Sequence, residues 1–120
     1  MGKRKNRREV VPIETVISKL KEVVSSLSES MPIDNAYLFG SYAKGNPKSY
    51  SDVDVAVVSP AFGRNYIEET VFLMDAFHNT GLMVEPHVFT RDEYKEAIKG
   101  TFLYNEVLKK GITLLAEPSL

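Results

Sequence analysis

Two aspartates spaced two residues apart are the first residues of this sequence that could carry out chemistry. Asp52 and Asp54 flank Val53 where a run rich in β-branched residues, 53–58, begins. Because side chains alternate between the two faces of a strand, both carboxylates are expected on one face. Two like charges so close repel each other and are costly to bury, and a divalent cation removes both costs. The pair therefore predicts a Mg²⁺ site. An alternative stays open, in which Asp52 caps a turn with Ser51 and Asp54 is merely exposed.

A second feature that suits phosphate chemistry precedes the aspartates. Residues 36–39 are apolar and predict a short strand, which Gly40 and Ser41 follow at once. Glycine lets the backbone approach a ligand closely, and the free N–H groups of a helical turn starting at Ser41 favour phosphate. The dipeptide considered alone also fits an ordinary strand-to-helix turn with a serine cap.

The two features together resemble the signature of the DNA-polymerase-β-type nucleotidyltransferases, and of their minimal (MNT) members in particular. That signature is Gly-Ser, ten residues, then Asp-x-Asp, and Gly40-Ser41 and Asp52-x-Asp54 match its spacing. The resemblance implies that Gly40 and Ser41 hold the β- and γ-phosphates of ATP or another NTP. It also implies that Asp52 and Asp54 bind Mg²⁺, two ions in all, and that an NMP group is transferred in an in-line displacement at the α-phosphate.

A third carboxylate usually comes from a neighbouring strand in this family, and Glu85 is the candidate here. A glutamate inside the apolar run 82–89 needs a partner, which a metal ion supplies. Glu85 is therefore expected to be catalytic and a metal ligand together with Asp52 and Asp54. Pro86 departs from the family pattern and suggests an edge strand or a bulge. His87 is expected on the same face as Glu85, and its participation stays open, as does the alternative of a solvated glutamate and a surface histidine.

Lys44 lies in the segment expected over the phosphates, and we predict that it contributes to nucleotide binding by neutralising charge. A lysine in such a segment is also commonly just solvated.

Strands alternate with helices along the rest of the chain, which predicts an α/β domain with a small mixed sheet of about four strands. Apolar residues recur at helical spacing after Pro12, and residues 65–79 suit a further helix with Ile67, Val71, Met74 and either Phe77 or His78 toward the core. Thr90 and Glu93 have the spacing of a capping box, which starts a helix running to Lys99. The remaining predicted elements are a helix at 102–110 and a strand at 112–116.

Length and composition limit the classes of protein to which this chain can belong. The 120 residues predict one domain, here 11–120, after a basic mobile tail at 1–10. The absence of cysteine excludes disulfides and thiol chemistry, and no apolar run has the length of a membrane helix. A cytoplasmic protein is expected, and the small core leaves room for a homo-oligomer.

Three hypotheses on function follow, and each predicts a different partner. Stand-alone cores of this family resemble the antitoxin-like member of a two-component toxin–antitoxin pair. The first hypothesis is therefore transfer of AMP to a partner, a small helical toxin of the HEPN class. The second is a nucleotidyltransferase-like subunit that acts by binding a partner protein. The third is nucleotidyl transfer directed at nucleic acid, which the net charge of −1 disfavours.

Overall fold

The computed structural model describes residues 10–48 and 52–116. The predicted basic tail lies outside the described residues except for Val10. The chain forms, in order, α1 Ile13–Ser28, β1 Asn35–Phe39, α2 Ser41–Lys44, β2 Val53–Ser59, α3 Tyr66–Phe77 with a 3₁₀ turn His78–Thr80, β3 Val84–Thr90, α4 Arg91–Lys95, a π-helix Leu103–Leu108 and β4 Ile112–Ala116.

The four strands form one mixed sheet in the order β3-β2-β1-β4. β1 pairs antiparallel with both β2 and β4, whereas β2 and β3 are parallel. The predicted small mixed sheet is confirmed. The edge position predicted from Pro86 is also confirmed, because β3 is the outermost strand on its side and a proline there removes no ladder hydrogen bond from a central strand.

The main core lies between one face of the sheet and the two long helices. α1 and α3 bury apolar side chains against the alternate valines of β2, namely Val16, Leu20, Val24, Leu73 and Phe77 against Val53, Val55 and Val57. Full burial of each such side chain stabilises the fold by about 1.5–3 kcal/mol. The opposite face carries a smaller cluster that the π-helix covers, formed by Tyr37, Phe39, Ala56, Leu103 and Val107.

The helix α3 presents a different face to the core than its sequence suggested. Leu73 and Phe77 are fully buried, whereas Ile67, Val71 and Met74 are 72%, 53% and 52% exposed. The prediction that those three face the core was wrong. Apolar residues occur around most of this helix, so composition alone did not determine which face would be covered.

The last third of the chain forms shorter helices than predicted. The capping box is present, since the Thr90 side chain accepts from the Glu93 amide and the Glu93 carboxylate accepts from the Thr90 amide. The helix that it starts ends at Lys95 instead of Lys99. The predicted helix at 102–110 is a π-helix over Leu103–Leu108. None of the helices in the described part of the chain combines the length and the apolarity that a bilayer crossing requires.

Candidate active site

A tight turn between β1 and α2 forms one wall of the candidate site. Gly40 follows β1 directly and has φ 81° and ψ −153°, a conformation that is essentially restricted to glycine. A Cβ atom added at Gly40 would collide with the carboxylate of Asp54. The backbone therefore passes directly beside Asp54, and Ser41 begins α2 from that position.

Asp52 and Asp54 lie where β2 starts. Asp54 is the second residue of β2 and is opposite Phe39 on one neighbouring strand and Glu85 on the other. Asp52 precedes the strand and is exposed, while Asp54 is half-buried. The backbone amide of Val53 donates to the carbonyl oxygen of Met83 at 2.8 Å, which ties this end of β2 to β3.

The parallel pairing of β2 with β3 brings Glu85 and His87 to Asp54. The Nε2 atom of His87 lies 3.2 Å from Oδ1 of Asp54, within hydrogen-bonding distance. The ring of Phe39 packs edge-on against the His87 ring, with the ring centroids 4.9 Å apart, and fixes its position. One ligand atom from each of Asp54, Glu85 and His87 lies within 4.8 Å of the others.

Electrostatic repulsion within this cluster shows in the carboxyl group of Glu85. Its pKa is raised above the ordinary value of 4.5, first by partial burial and then by the charge of Asp54. The charge of Asp52 and a hydrogen bond with that carboxyl also raise this pKa, whereas His87 lowers it. Three carboxyl groups are thus close enough to affect one another, and a cation placed among them would remove the repulsion.

The donor set fits a divalent cation. Carboxylate oxygens are the hard ligands that Mg²⁺ prefers; those of Asp54 and Glu85 converge with His87, and the Asp52 carboxyl hydrogen-bonds with that of Glu85. An imidazole is more typical of transition metals, but a histidine hydrogen-bonded to a ligating carboxylate also orients that ligand. The contact between His87 and Asp54 has the geometry of the second arrangement.

Lys44 extends from the end of α2 and pairs with an acidic residue that the sequence did not point to. Its Nζ atom lies 3.5 Å from Oε1 of Glu106 on the π-helix, while Oε2 of Glu106 accepts from Lys110 at 3.3 Å. The pKa of Glu106 is lowered by the hydrogen bond and the charge of Lys110, and further by Lys44. Glu106 is distant from Lys44 in sequence, so no motif could have indicated this pair.

The residues predicted from the sequence fall into two groups in space. Asp52, Asp54 and Glu85 come together with Gly40 beside them, and His87, whose participation the sequence left open, contacts Asp54. Ser41 follows Gly40 at the start of α2, and Lys44 at the end of α2 pairs with Glu106. Sequence reasoning missed Phe39 and Glu106, which position His87 and Lys44.

Comparison with known proteins assigns the chain to a family. The model of the family "Nucleotidyltransferase domain" matches residues 17–114, so the chain belongs to that family. Among curated proteins, none matches the chain significantly.

Solved structures with the same fold include two that cover most of the chain. One is a candidate nucleotidyltransferase from Sulfolobus solfataricus, with a TM-score of 0.56 and 23% identity, covering 94% of this chain and 89% of that one. The other is a toxin–antitoxin structure with AMP-PNP, with a TM-score of 0.54 and 23% identity, covering 81% of this chain and 73% of that one. These similarities establish a shared nucleotidyltransferase fold.

Proposed function

We propose that this domain transfers an NMP group, AMP in the first instance, from an NTP to a hydroxyl group on a partner protein. Asp52, Asp54 and Glu85 would hold Mg²⁺ in this reaction. The observation that carries the proposal is the position of the carboxylate cluster directly beside the Gly40 turn. The site thus combines a cation-binding group with backbone that can approach phosphates closely.

In this reaction, residues of the chain bind the phosphates, offset their charge and accept a proton. The hydroxyl oxygen forms a bond to the α-phosphorus, the bond from that phosphorus to the bridging oxygen breaks, and pyrophosphate leaves with the bonding electrons. Gly40 and Ser41 hold the β- and γ-phosphates through backbone N–H groups, and Lys44 offsets their charge. Glu85 lies where it can accept the hydroxyl proton. Bound Mg²⁺ supplies neutralisation of the phosphate charge and activation of the hydroxyl.

The partner that we propose is a toxin, specifically a small helical protein of the HEPN class. One structure of similar fold is a toxin–antitoxin structure that contains AMP-PNP, which supports both the partner class and the adenine nucleotide. The resemblance of this sequence to stand-alone minimal nucleotidyltransferases supports the same assignment.

Two labelled nucleotides test the reaction. The protein is incubated with Mg²⁺ and ATP labelled at either the α- or the γ-phosphate, in an extract of cells that produce it. Label from the α-phosphate should appear on a protein, and label from the γ-phosphate should not. Asp54→Asn should abolish the labelling, while Asp75→Asn, an exposed aspartate of α3 outside the cluster, should preserve it. Transfer of the γ-label would instead indicate a kinase and refute the proposal.

The partner-binding hypothesis is favoured by one specific observation, the exposed apolar side chains of α3. A folded protein that binds no NTP in the presence of Mg²⁺ but forms a stable complex with its partner would support that second function. Calorimetric titration with ATP decides between the two functions.

A further inference from the structure

An apolar groove opens beside the carboxylate cluster, between α3 and β3. It has a volume of about 550 Å³ and is lined by Tyr66, Met74 and Phe77 of α3 and by Met83 before β3. Asp52 and Glu85 also line it. The roles assigned above to the phosphate turn and to the carboxylates leave this groove unused.

The apolar surface extends out of the groove along α3. Ile67, Val71 and Met74 are spaced four and three residues apart and therefore share one face of the helix. All three are more than half exposed, as is Met83, and Met74 belongs to both the helix face and the groove. A contiguous exposed apolar surface of this kind is typical of a site that binds another molecule.

The charges around the groove select the class of ligand. Among the described residues, those lining it include no lysine or arginine, and they do include the carboxylates of Asp52 and Glu85. Nucleic acid binds chiefly through contacts of lysine and arginine side chains with its phosphates, whereas the basic groups that this lining offers are the imidazoles of His78 and His87. An uncharged segment of a protein is not repelled by the two carboxylates, and its binding is stabilised by burial against the apolar walls.

The strand register places the groove on the acceptor side of the reaction. Asp54 is flanked by Phe39, which precedes the phosphate turn, and by Glu85, which borders the groove. Neighbouring strands are about 4.8 Å apart, so Gly40 and Glu85 lie on opposite sides of Asp54. In an in-line displacement, the attacking and leaving oxygens are on opposite sides of the phosphorus. With pyrophosphate leaving toward Gly40, the attacking hydroxyl arrives from the Glu85 side.

We infer that the groove between α3 and β3 binds the acceptor, an apolar and hydroxyl-bearing segment of a partner protein, and directs its hydroxyl toward Glu85. This inference rests on the proposed nucleotidyl transfer, to which it adds the place and the chemistry of the acceptor. The exposed face formed by Ile67, Val71 and Met74 holds the neighbouring part of the same partner.

Methionine methyl groups give a direct binding test. The chain has four methionines, of which Met74 and Met83 line the groove and Met31 packs at the main core. Isotope-labelled methyl resonances are followed during titration with N-acetyl-tyrosine amide, which has an apolar ring and a hydroxyl group, and separately with ATP and Mg²⁺. The tyrosine probe should shift Met74 and Met83 and leave Met31 unchanged. Absence of a shift would overturn the inference.

The titration with ATP separates the acceptor from the nucleobase as occupant. Contacts from adenine protons to the Met74 methyl group would show that the groove holds the nucleobase and would overturn the inference. Such an outcome would leave the proposed function intact, since ATP would still bind.

Transfer of AMP to the same probe, detected as the mass of the adenylylated product, tests the role in the reaction. Met74→Gln combined with Met83→Gln should lower this transfer about tenfold or more, a loss equivalent to about 1.4 kcal/mol, while ATP binding stays unchanged. Ile98→Gln is the matched control, because Ile98 is 66% exposed but outside the groove. Undiminished transfer in the double variant would contradict the inference. A wild-type protein that does not bind ATP would instead contradict the proposed function.

Discussion

Gly40 and Asp54 are so close that no side chain fits between them: a Cβ atom added at Gly40 would collide with the Asp54 carboxylate. This contact joins the two parts of the nucleotidyltransferase motif, which ten residues separate in the sequence. The phosphate turn can therefore lie this close to the carboxylates only because residue 40 has no side chain.

Gly40→Ala is expected to displace Asp54 and to weaken Mg²⁺-dependent ATP binding about tenfold or more, which titration calorimetry measures. Gly45→Ala is the control, since Gly45 also has positive φ, 84°, but an added Cβ would meet nothing within 4 Å. It should cost about 1–2 kcal/mol of folding stability from the left-handed backbone alone and leave binding intact. Equal losses of binding in the two folded variants would refute the proposed contact.

Divalent cations should stabilise the folded domain through the carboxylate cluster. At a free Mg²⁺ concentration of 100 times the Kd, the free energy of unfolding should rise by about 2.7 kcal/mol, visible as a higher Tm in thermal denaturation. Asp54→Asn should remove this dependence on Mg²⁺, and Asp75→Asn should retain it. A wild-type Tm that does not respond to Mg²⁺ or Mn²⁺ would argue against a metal site.

The raised pKa of Glu85 predicts a pH dependence whose sign depends on the metal. Without metal, folding favours protonated Glu85, so its contribution to stability is fully present below the ordinary pKa of 4.5 and is lost as the pH rises through the higher folded value. Urea denaturation in EDTA should therefore show Glu85→Gln gaining stability relative to the wild type as the pH rises above 4.5. With saturating Mg²⁺, which binds the ionised form, the sign should reverse. A pH-independent difference between the two proteins would contradict this assignment.

The ion pair between Lys44 and Glu106 predicts that Glu106 restrains nucleotide binding. Glu106→Gln should free the Lys44 ammonium for the triphosphate and tighten ATP binding by about twofold to fivefold at low salt, in line with the up to about 1 kcal/mol that exposed ion pairs contribute. Lys110→Gln is the matched control, because it removes the other partner of Glu106 and leaves Lys44 paired. Weaker ATP binding by the Glu106 variant would show that the pair positions Lys44 productively.

The sequence contained enough to predict the fold class and much of the candidate site, because those depend on local patterns. Strand alternation predicted Asp52 and Asp54 on one face, and Glu85 stood out as a charge in an apolar strand. The contact of His87 with Asp54 could not be predicted, since it requires the parallel register that pairs Asp54 with Glu85. Lys44 and Glu106 likewise meet only after the sheet has formed.

The same limit explains the error at α3. Phe77 is buried, as one of the two predicted alternatives had it, but burial of Leu73 instead of Ile67 depends on how α3 packs between α1 and the sheet, and periodicity within one helix does not specify its neighbours. The residues assigned to the wrong face are the ones that led to the proposed acceptor surface.

The π-helix Leu103–Leu108 limits how this domain can change during evolution. Successive residues of a helix point in different directions around its axis, so a single deletion in this π-helix would rotate all that follows relative to the residues before it. Val107 would leave its buried position and Glu106 would turn away from Lys44. A substitution at the exposed Lys109 affects neither contact. Selection should therefore tolerate changes of residue type on the outer surface of this segment far more readily than any change in its length.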